Sequence, residues 1–317
     1  MNPCTTAEPA SSIRFAGRVA IVTGGGGSLG RNHALLLASR GAAIVVNDLG
    51  TGLDGAGSSD AAAQAVAAEI VDGGGRAIAN GDDVADPQGA ERLIGLALDA
   101  FGRVDIVINN AGILRDRSFV KMDLADFRAV LDVHLMGAVH VTKAAWRVMR
   151  AQNYGRIVLT TSHVGLHGNF GQANYAAAKM ALVGLMDAIK LEGERYGILV
   201  NAIAPLAASR MAAAKDMHRL KALLDPALVS AAVAYLSSEA CKTTGIVLAA
   251  GGGYFGRAEV VESSGVRCEA GRHVTPEDVA IWWNVITDLQ SARPYHDATE
   301  RLTELFPQLK ANEDEAV

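Results

Sequence analysis

Three side chains have the types and spacing to oxidise an alcohol. Ser162 follows the apolar run Arg156 to Thr160, Tyr175 lies 13 residues further on, and Lys179 four beyond that. Removing hydride from an alcohol carbon also requires a base for the hydroxyl proton. A phenol titrating near ~10 is a poor base at neutral pH, and an adjacent ammonium favours the phenolate. Ser162 can donate a hydrogen bond to the substrate oxygen and stabilise charge developing there. If the stretch from Asn174 is helical, Tyr175 and Lys179 share one face. Tyr-x-x-x-Lys alone is a common coincidence, so a second signal must support it.

That signal lies upstream. Thr23-Gly24-Gly25-Gly26-Gly27-Ser28-Leu29-Gly30 follows a β-branched run and opens a helical stretch. Glycines let backbone N–H groups approach a pyrophosphate, and the helix N-terminus adds partial positive charge. Such a loop could be a plain flexible turn. Its place after a strand, with Asp48 lying 18 residues beyond Gly30, makes it a dinucleotide site. Asp48 ends the run V-V-N-D. A carboxylate there accepts both ribose hydroxyls of NAD and repels the extra phosphate of NADP, and no Arg or Lys lies beside it.

These groups need a scaffold that brings strand ends together. Arg18–Thr23, Ala42–Asn47, Val104–Ile108, Arg156–Thr160, Leu199–Ile203 and Ile246–Ala249 read as buried strands. Helical stretches such as Arg31–Ser39 and Ala90–Ala100 alternate with them. The pattern predicts one α/β domain, a Rossmann-type doubly wound parallel sheet over 17–255. A flexible tail (1–16) precedes it, and a helical extension (256–317) follows. In that extension Thr275-Pro276-Glu277-Asp278 starts a helix expected to run to Ser291 and to carry Trp282 and Trp283.

Composition narrows the class. Half of the 317 residues are hydrophobic and the net charge is −5, which argues against nucleic acid or an anionic membrane as partner. No apolar run reaches the ~18 residues of a membrane span, and the first residues lack signal-peptide order. Cys4, Cys241 and Cys268 are too scattered for a metal site and read as free thiols of a cytoplasmic protein.

With Asn109-Asn110-Ala111-Gly112 added to the Gly-rich turn, Ser162 and Tyr175-Ala-Ala-Ala-Lys179, the chain resembles the classical short-chain dehydrogenase/reductases over residues 17 to about 255. Longer strings narrow the likeness: N-D-L-G at Asn47, A-G-I-L-R-D-R-S-F at Ala111, G-N-F-G-Q-A-N-Y at Gly168, S-R-M at Ser209 and G-G-G-Y-F-G-R at Gly251. They resemble the (3R)-hydroxyacyl-CoA dehydrogenase domain of peroxisomal multifunctional enzyme type 2 and its bacterial hydroxyacyl-CoA and 17β-hydroxysteroid dehydrogenase relatives. The resemblance implies NAD as cofactor and a bulky apolar or CoA-linked alcohol as substrate. It also implies a homodimer or homotetramer built through long central helices. Gly24, Ser28, Leu29, Gly30 and Asp48 would hold the cofactor, and Asp83 and Val84 would flank its adenine. Asn110 would lie on the nicotinamide side with Tyr175 and Lys179, and Ala207, Ala208, Ser209 and Arg210 would close over the carboxamide and diphosphate. A 3-oxoacyl-carrier-protein reductase, which normally draws on NADPH, and a non-catalytic NAD-binding subunit are the alternatives.

Three positions depart from that family. Ser28 stands where glycine is usual, with weakened cofactor binding expected. His134 stands where many members carry a proton-relaying Asn, and it reads either as a relay or as a packed helix residue. Pro205-Leu206 replaces Pro-Gly. His163 and His167 fit the pocket rim or solvent, and Arg115 and Arg117 fit a CoA phosphate or a pairing with Asp116. Met211–Leu224 falls at the family's substrate lid.

Overall fold

The computed structural model describes residues 12–206, 224–269 and 271–306. The expected lid and the expected cofactor contacts Ala207, Ala208, Ser209 and Arg210 lie outside the described residues, apart from Leu224. The chain divides into two compact units, 1–257 and 258–317.

The first unit is built on a sheet whose strands are β1 (Val19–Thr23), β2 (Ala43–Asn47), β3 (Arg76–Asn80), β4 (Ile106–Asn109), β5 (Gly155–Thr160), β6 (Ile198–Leu206), β7 (Val247–Gly251) and β8 (Tyr254–Ala258). Their order is β3-β2-β1-β4-β5-β6-β7-β8, and β1 to β7 pair in parallel. β1, β2, β4 and β5 are buried at every position, which is why they read as continuous apolar runs. β3 escapes the sequence reading. Its R-A-I-A-N is alanine-rich, lies at the edge and is buried only at Asn80, so it has neither an apolar run nor clean alternation. β8 also goes unread. It follows β7 after Gly252 and Gly253, whose φ values of +61° and +79° suit a two-residue hairpin turn.

Helices α1 (Ser28–Ser39), α2 (Ala61–Asp72), α3 (Pro87–Phe101), α4 (Leu124–Leu131), α5 (Gly137–Gln152), α6 (His163–His167), α7 (Ala173–Gly193) and α8 (Pro226–Leu236) complete the unit. One core joins α1, α2 and α8 to the sheet through Leu37, Ile70 and Val233, while α3 packs on α5 and α4 on α7. From β1 the chain winds outward to β2 and β3, then returns to β4 on the other side. The β1/β4 junction is therefore a switch point, where strand ends leave a crevice. Between α4 and α5 the helix widens into a π-turn, Asp132–Met136. Such turns are frequent at functional sites, and this one carries His134.

The second unit holds α9 (Pro276–Ile286) and α10 (Ala298–Leu305). Thr275 and Asp278 form a reciprocal capping box at the expected start of α9. The helix stops at Ile286, five residues before the expected end, and Thr287 Oγ1 donates back to Trp283 O at 2.8 Å. Trp282 lies under the Arg272 guanidinium, and Trp283 is exposed. No helix of the described residues is long and apolar enough to cross a membrane.

Candidate active site

The three residues singled out by spacing meet at the carboxyl end of β5. Ser162 leaves the strand with extended backbone and caps α6, its Oγ accepting the Val164 N–H at 3.1 Å. Tyr175 and Lys179 lie one turn apart on α7. The short α6 crosses α7 at Gly165, where a Cβ would stand 2.7 Å from the Lys179 Cβ, so only glycine permits this approach. Lys179 is almost wholly buried. Its Nζ donates to Thr160 O at 2.5 Å and stands 5.6 Å from the centre of the Tyr175 ring. Asn174, fully buried, fixes the start of α7. Its Nδ2 donates to Arg115 O at 2.9 Å, and its Oδ1 accepts the Tyr175 N–H at 2.8 Å.

Burial dominates the titration of these groups. It lowers the Lys179 ammonium to about 7. It raises the Tyr175 phenol; the Ser162 hydrogen bond pulls the other way, and the Asp116 charge adds to the rise. Desolvation thus pushes both groups toward their neutral forms. His134 meets the Tyr175 ring edge-on at 5.1 Å. Burial, and then the Lys179 charge, hold it well below its usual range, so its ring is neutral. Its Nε2 lies 2.8 Å from Ile113 O and 3.1 Å from Ile113 N, so one tautomer donates to that carbonyl and the other accepts that N–H. Its Nδ1 is buried without a protein partner. The ring packs over Gly112, where a Cβ would lie 2.1 Å from Cε1.

A cleft of about 520 Å³ runs from this end of β5 to the Gly-rich turn, lined by Gly24, Ser28, Leu29, Gly30, Asp48, Asp83, Val84, Asn110, His134, Ser162, Tyr175 and Lys179. The turn fits a dinucleotide phosphate. The N-cap of α1 is Gly27, no side chain caps it and no acid occupies its first turn, so the helix end is open to an anion. Gly24 has φ +62°, and a Cβ on Gly30 would stand 2.2 Å from Gly24 O. Ser28 is the first residue of α1, without positive φ, so serine there strains no backbone. Asp48 Oδ2 accepts the Gly26 N–H at 2.9 Å and Oδ1 the Gly50 N–H at 2.7 Å. A carboxylate offers about four acceptor positions, so capacity remains for ribose hydroxyls. Gly30→Ala is expected to weaken NADH binding roughly tenfold or more, since α1 must shift off the turn; a fluorescence titration checks this.

Asn110 lines the cleft beside the Gly-rich turn. Its Nδ2 donates to Thr23 O and Gly24 O at 3.0 and 3.2 Å, bracing the turn. Thr23, which sequence reasoning missed, accepts the Asn110 and Ala111 N–H groups on Oγ1 at 2.9 and 3.1 Å. Asp83 Oδ1 is engaged by the Ala85 N–H. His163 and His167 stack on each other, 6.2 Å apart. Arg115 pairs with Asp126, not Asp116; Asp116 accepts from Gln172.

A Gly-rich turn at the switch point, joined by one cleft to a buried lysine and a tyrosine, defines a nicotinamide-dependent oxidoreductase. The chain belongs to the short-chain dehydrogenase family, whose model matches residues 18–219. It is similar to a short-chain type dehydrogenase/reductase of Mycobacterium tuberculosis, 49% identical over 87% of this chain and 96% of that protein. It is also similar to peroxisomal multifunctional enzyme type 2 of Drosophila melanogaster, 44% identical over 96% of this chain but 51% of that enzyme, so it spans about half that relative's length. The full-length structure of the Drosophila enzyme matches with a TM-score of 0.79 over 94% of this chain and 50% of that one. A 7α-hydroxysteroid dehydrogenase solved with NADH and 7-oxo glycochenodeoxycholic acid matches at 28% identity, with a TM-score of 0.68 over 76% of this chain and 95% of its own.

Proposed function

We propose that this chain is an NAD-specific dehydrogenase of 3-hydroxyacyl-CoA thioesters, with sterol-derived acyl groups and 17β-hydroxysteroids as neighbouring substrates. The observation that carries the reading is one cleft with Asp48 at one end and Ser162, Tyr175 and Lys179 at the other. The likeness to multifunctional enzyme type 2 over nearly the whole chain supports the acyl-CoA assignment.

When bound, NAD accepts hydride from the alcohol carbon. Ser162 donates to the substrate oxygen. Tyr175 takes the hydroxyl proton during oxidation and returns it during reduction. Lys179, held by Thr160 O, orients the nicotinamide ribose and passes the proton onward. Behind Lys179 lies a void of about 10 Å³, whose lining includes Asn109, His134 and Lys179. Asn109 Oδ1 and His134 Nδ1 are both buried there without protein partners. The void is about the size of one water, and Thr23, Asn109, His134 and Lys179 are the polar residues of its lining. His134 is thus the relay group beyond Lys179. Gly24, Ser28, Leu29 and Gly30 hold the pyrophosphate, Asp83 and Val84 flank the adenine, and Ala207, Ala208, Ser209 and Arg210 close over the cofactor.

Asp48 sets the cofactor. Among the described residues lining the cleft, the only Lys and Arg are Lys179 and Arg115, and Arg115 is paired with Asp126. Asp48→Asn is expected to reduce the NAD-over-NADP ratio of kcat/KM by roughly 100-fold; steady-state assays with each cofactor check it. Phe119, Val120, Leu124 and Phe170 are strongly exposed, which supports a homodimer or homotetramer. Cys241 and Cys268 are free thiols, which suits the reducing cytoplasm.

The test is turnover of a panel of hydroxyacyl-CoAs, hydroxysteroids and a 3-oxoacyl-carrier protein with NAD(H) or NADP(H). Preferred oxidation of a 3-hydroxyacyl-CoA with NAD is expected. Faster reaction with NADP, or turnover of the carrier protein alone, contradicts the proposal.

A further inference from the structure

We infer that the loop after Asp48 is a gate across the dinucleotide cleft, clipped shut by Arg115. Residues 49–59 form a closed loop whose neck is the bond from Ser59 N to Leu49 O at 2.8 Å. Compact loops with adjoining ends are frequently functional. Leu49, Thr51, Gly52, Leu53 and Gly55 of the loop line the cleft, and so do Ile113, Leu114 and Arg115.

The two segments are bonded to each other. Leu114 N donates to Leu53 O at 2.8 Å, and Arg115 Nε donates to Asp54 O at 2.8 Å. Arg115 Nη1 is in turn held by Asp126 on α4 at 2.8 Å. Two clips therefore tie the loop to the cleft-lining segment 113–115, one through backbone and one through the Arg115 guanidinium.

The Arg115 side is fixed, because Asn174 donates to its carbonyl from the start of α7. The loop side is built to swing. Gly50 and Gly57 flank the tip at φ +69° and +81°, conformations that glycine alone adopts easily. A Cβ on Gly57 would meet nothing within 4 Å. Leu53, the largest apolar side chain of the tip, is 38% exposed. Short segments with pivots at each end are the usual form of such gates.

Each clip joins protein to protein. A dinucleotide entering or leaving must break them in either direction, so weakening them speeds both passages and leaves the equilibrium nearly unchanged. Arg115 is a positioning residue in this role. The inference rests on the nicotinamide-cofactor reading, but not on the identity of the alcohol.

The test is stopped-flow fluorescence of NADH binding and release, with excess NAD as the chase. Arg115→Ala is expected to raise the association and dissociation rates together by roughly tenfold, with Kd changed less than about twofold. Asp126→Ala, at a residue that does not line the cleft, is expected to shift both rates in the same direction. Unchanged rates in either variant overturn the gate. So does a higher Kd at unchanged association rate, which would make Arg115 a direct cofactor contact. These rates are readable even if no hydroxyacyl-CoA is oxidised, and failure of NADH to bind at all would overturn the cofactor reading itself.

Discussion

Tyr175→Phe is expected to lower kcat by about 10³-fold or more while leaving NADH affinity within about twofold. Positioned acid–base groups contribute on the order of 10²–10⁴ in rate, and here no neighbouring group can substitute. His134 touches the Tyr175 ring edge-on, but its Nε2 is committed to the Ile113 peptide and its ring is neutral. Ser162 is a neutral hydroxyl that already accepts from Val164 N. The tyrosine backbone is fixed by Asn174 Oδ1, and phenylalanine keeps that bond. The variant should therefore fold, bind cofactor and fail only at the proton. The phenol is raised by burial, and the base in oxidation is the phenolate. Wild-type oxidation should therefore increase toward alkaline pH, and reduction, which needs the phenol, should decline there. Single-turnover kinetics over a pH series check both statements; near-normal turnover of the variant contradicts them.

Lys179→Met is expected to abolish useful turnover and yet make the cofactor-free protein more stable. The lysine is fully buried, and its ammonium is lowered from 10.5 to about 7 by desolvation. A lowered folded value means that the unfolded chain holds the proton more tightly. Between about 7 and 10.5 the unfolded state therefore binds more protons than the folded one, and stability rises with pH across that window. Below it, burial of the charge costs its full amount. Methionine has similar length and no charge, so its advantage is greatest at or below pH ~7 and fades toward pH ~10.5. Allowing for the lost bond to Thr160 O, the gain should be about 1–3 kcal/mol, seen as a Tm higher by about 3–8 °C. Calorimetry of both proteins at two pH values measures it. A variant less stable at neutral pH would mean that Lys179 is better solvated than its surroundings indicate.

Much of this site is legible before any coordinates. Ser162, Tyr175 and Lys179 announce themselves because strand end and helix turn impose fixed spacings on the residues they bring together. Asp48 and the Gly-rich turn do so because a phosphate at a helix end needs bare backbone. β1 and β2, buried on both faces, write themselves as apolar runs, whereas the half-exposed β3 leaves no such trace. Groups that act by long-range hydrogen bonds stay hidden. Nothing near Thr23 indicates that its hydroxyl will receive two N–H groups from 87 and 88 residues away. Asn174 looks like any helix-start asparagine until Arg115 O is found above it. The glycine-rich run after Asp48 spells a loop, but not what it closes upon. His134 can be noticed from sequence, but only its neighbours show that Nδ1 is buried without a partner and that the residue lines a small void.

The most direct measurement uses a 3-hydroxyacyl-CoA carrying deuterium on C3, incubated with the protein and NAD, with the reduced nicotinamide analysed by mass spectrometry and NMR. Deuterium should appear on C4 of the nicotinamide, on one face only, and Tyr175→Phe should reduce its rate of appearance by the factor given above. Deuterium that stays in the thioester, is lost to water, or reaches NADPH faster than NADH would contradict an NAD-dependent hydroxyacyl-CoA dehydrogenase.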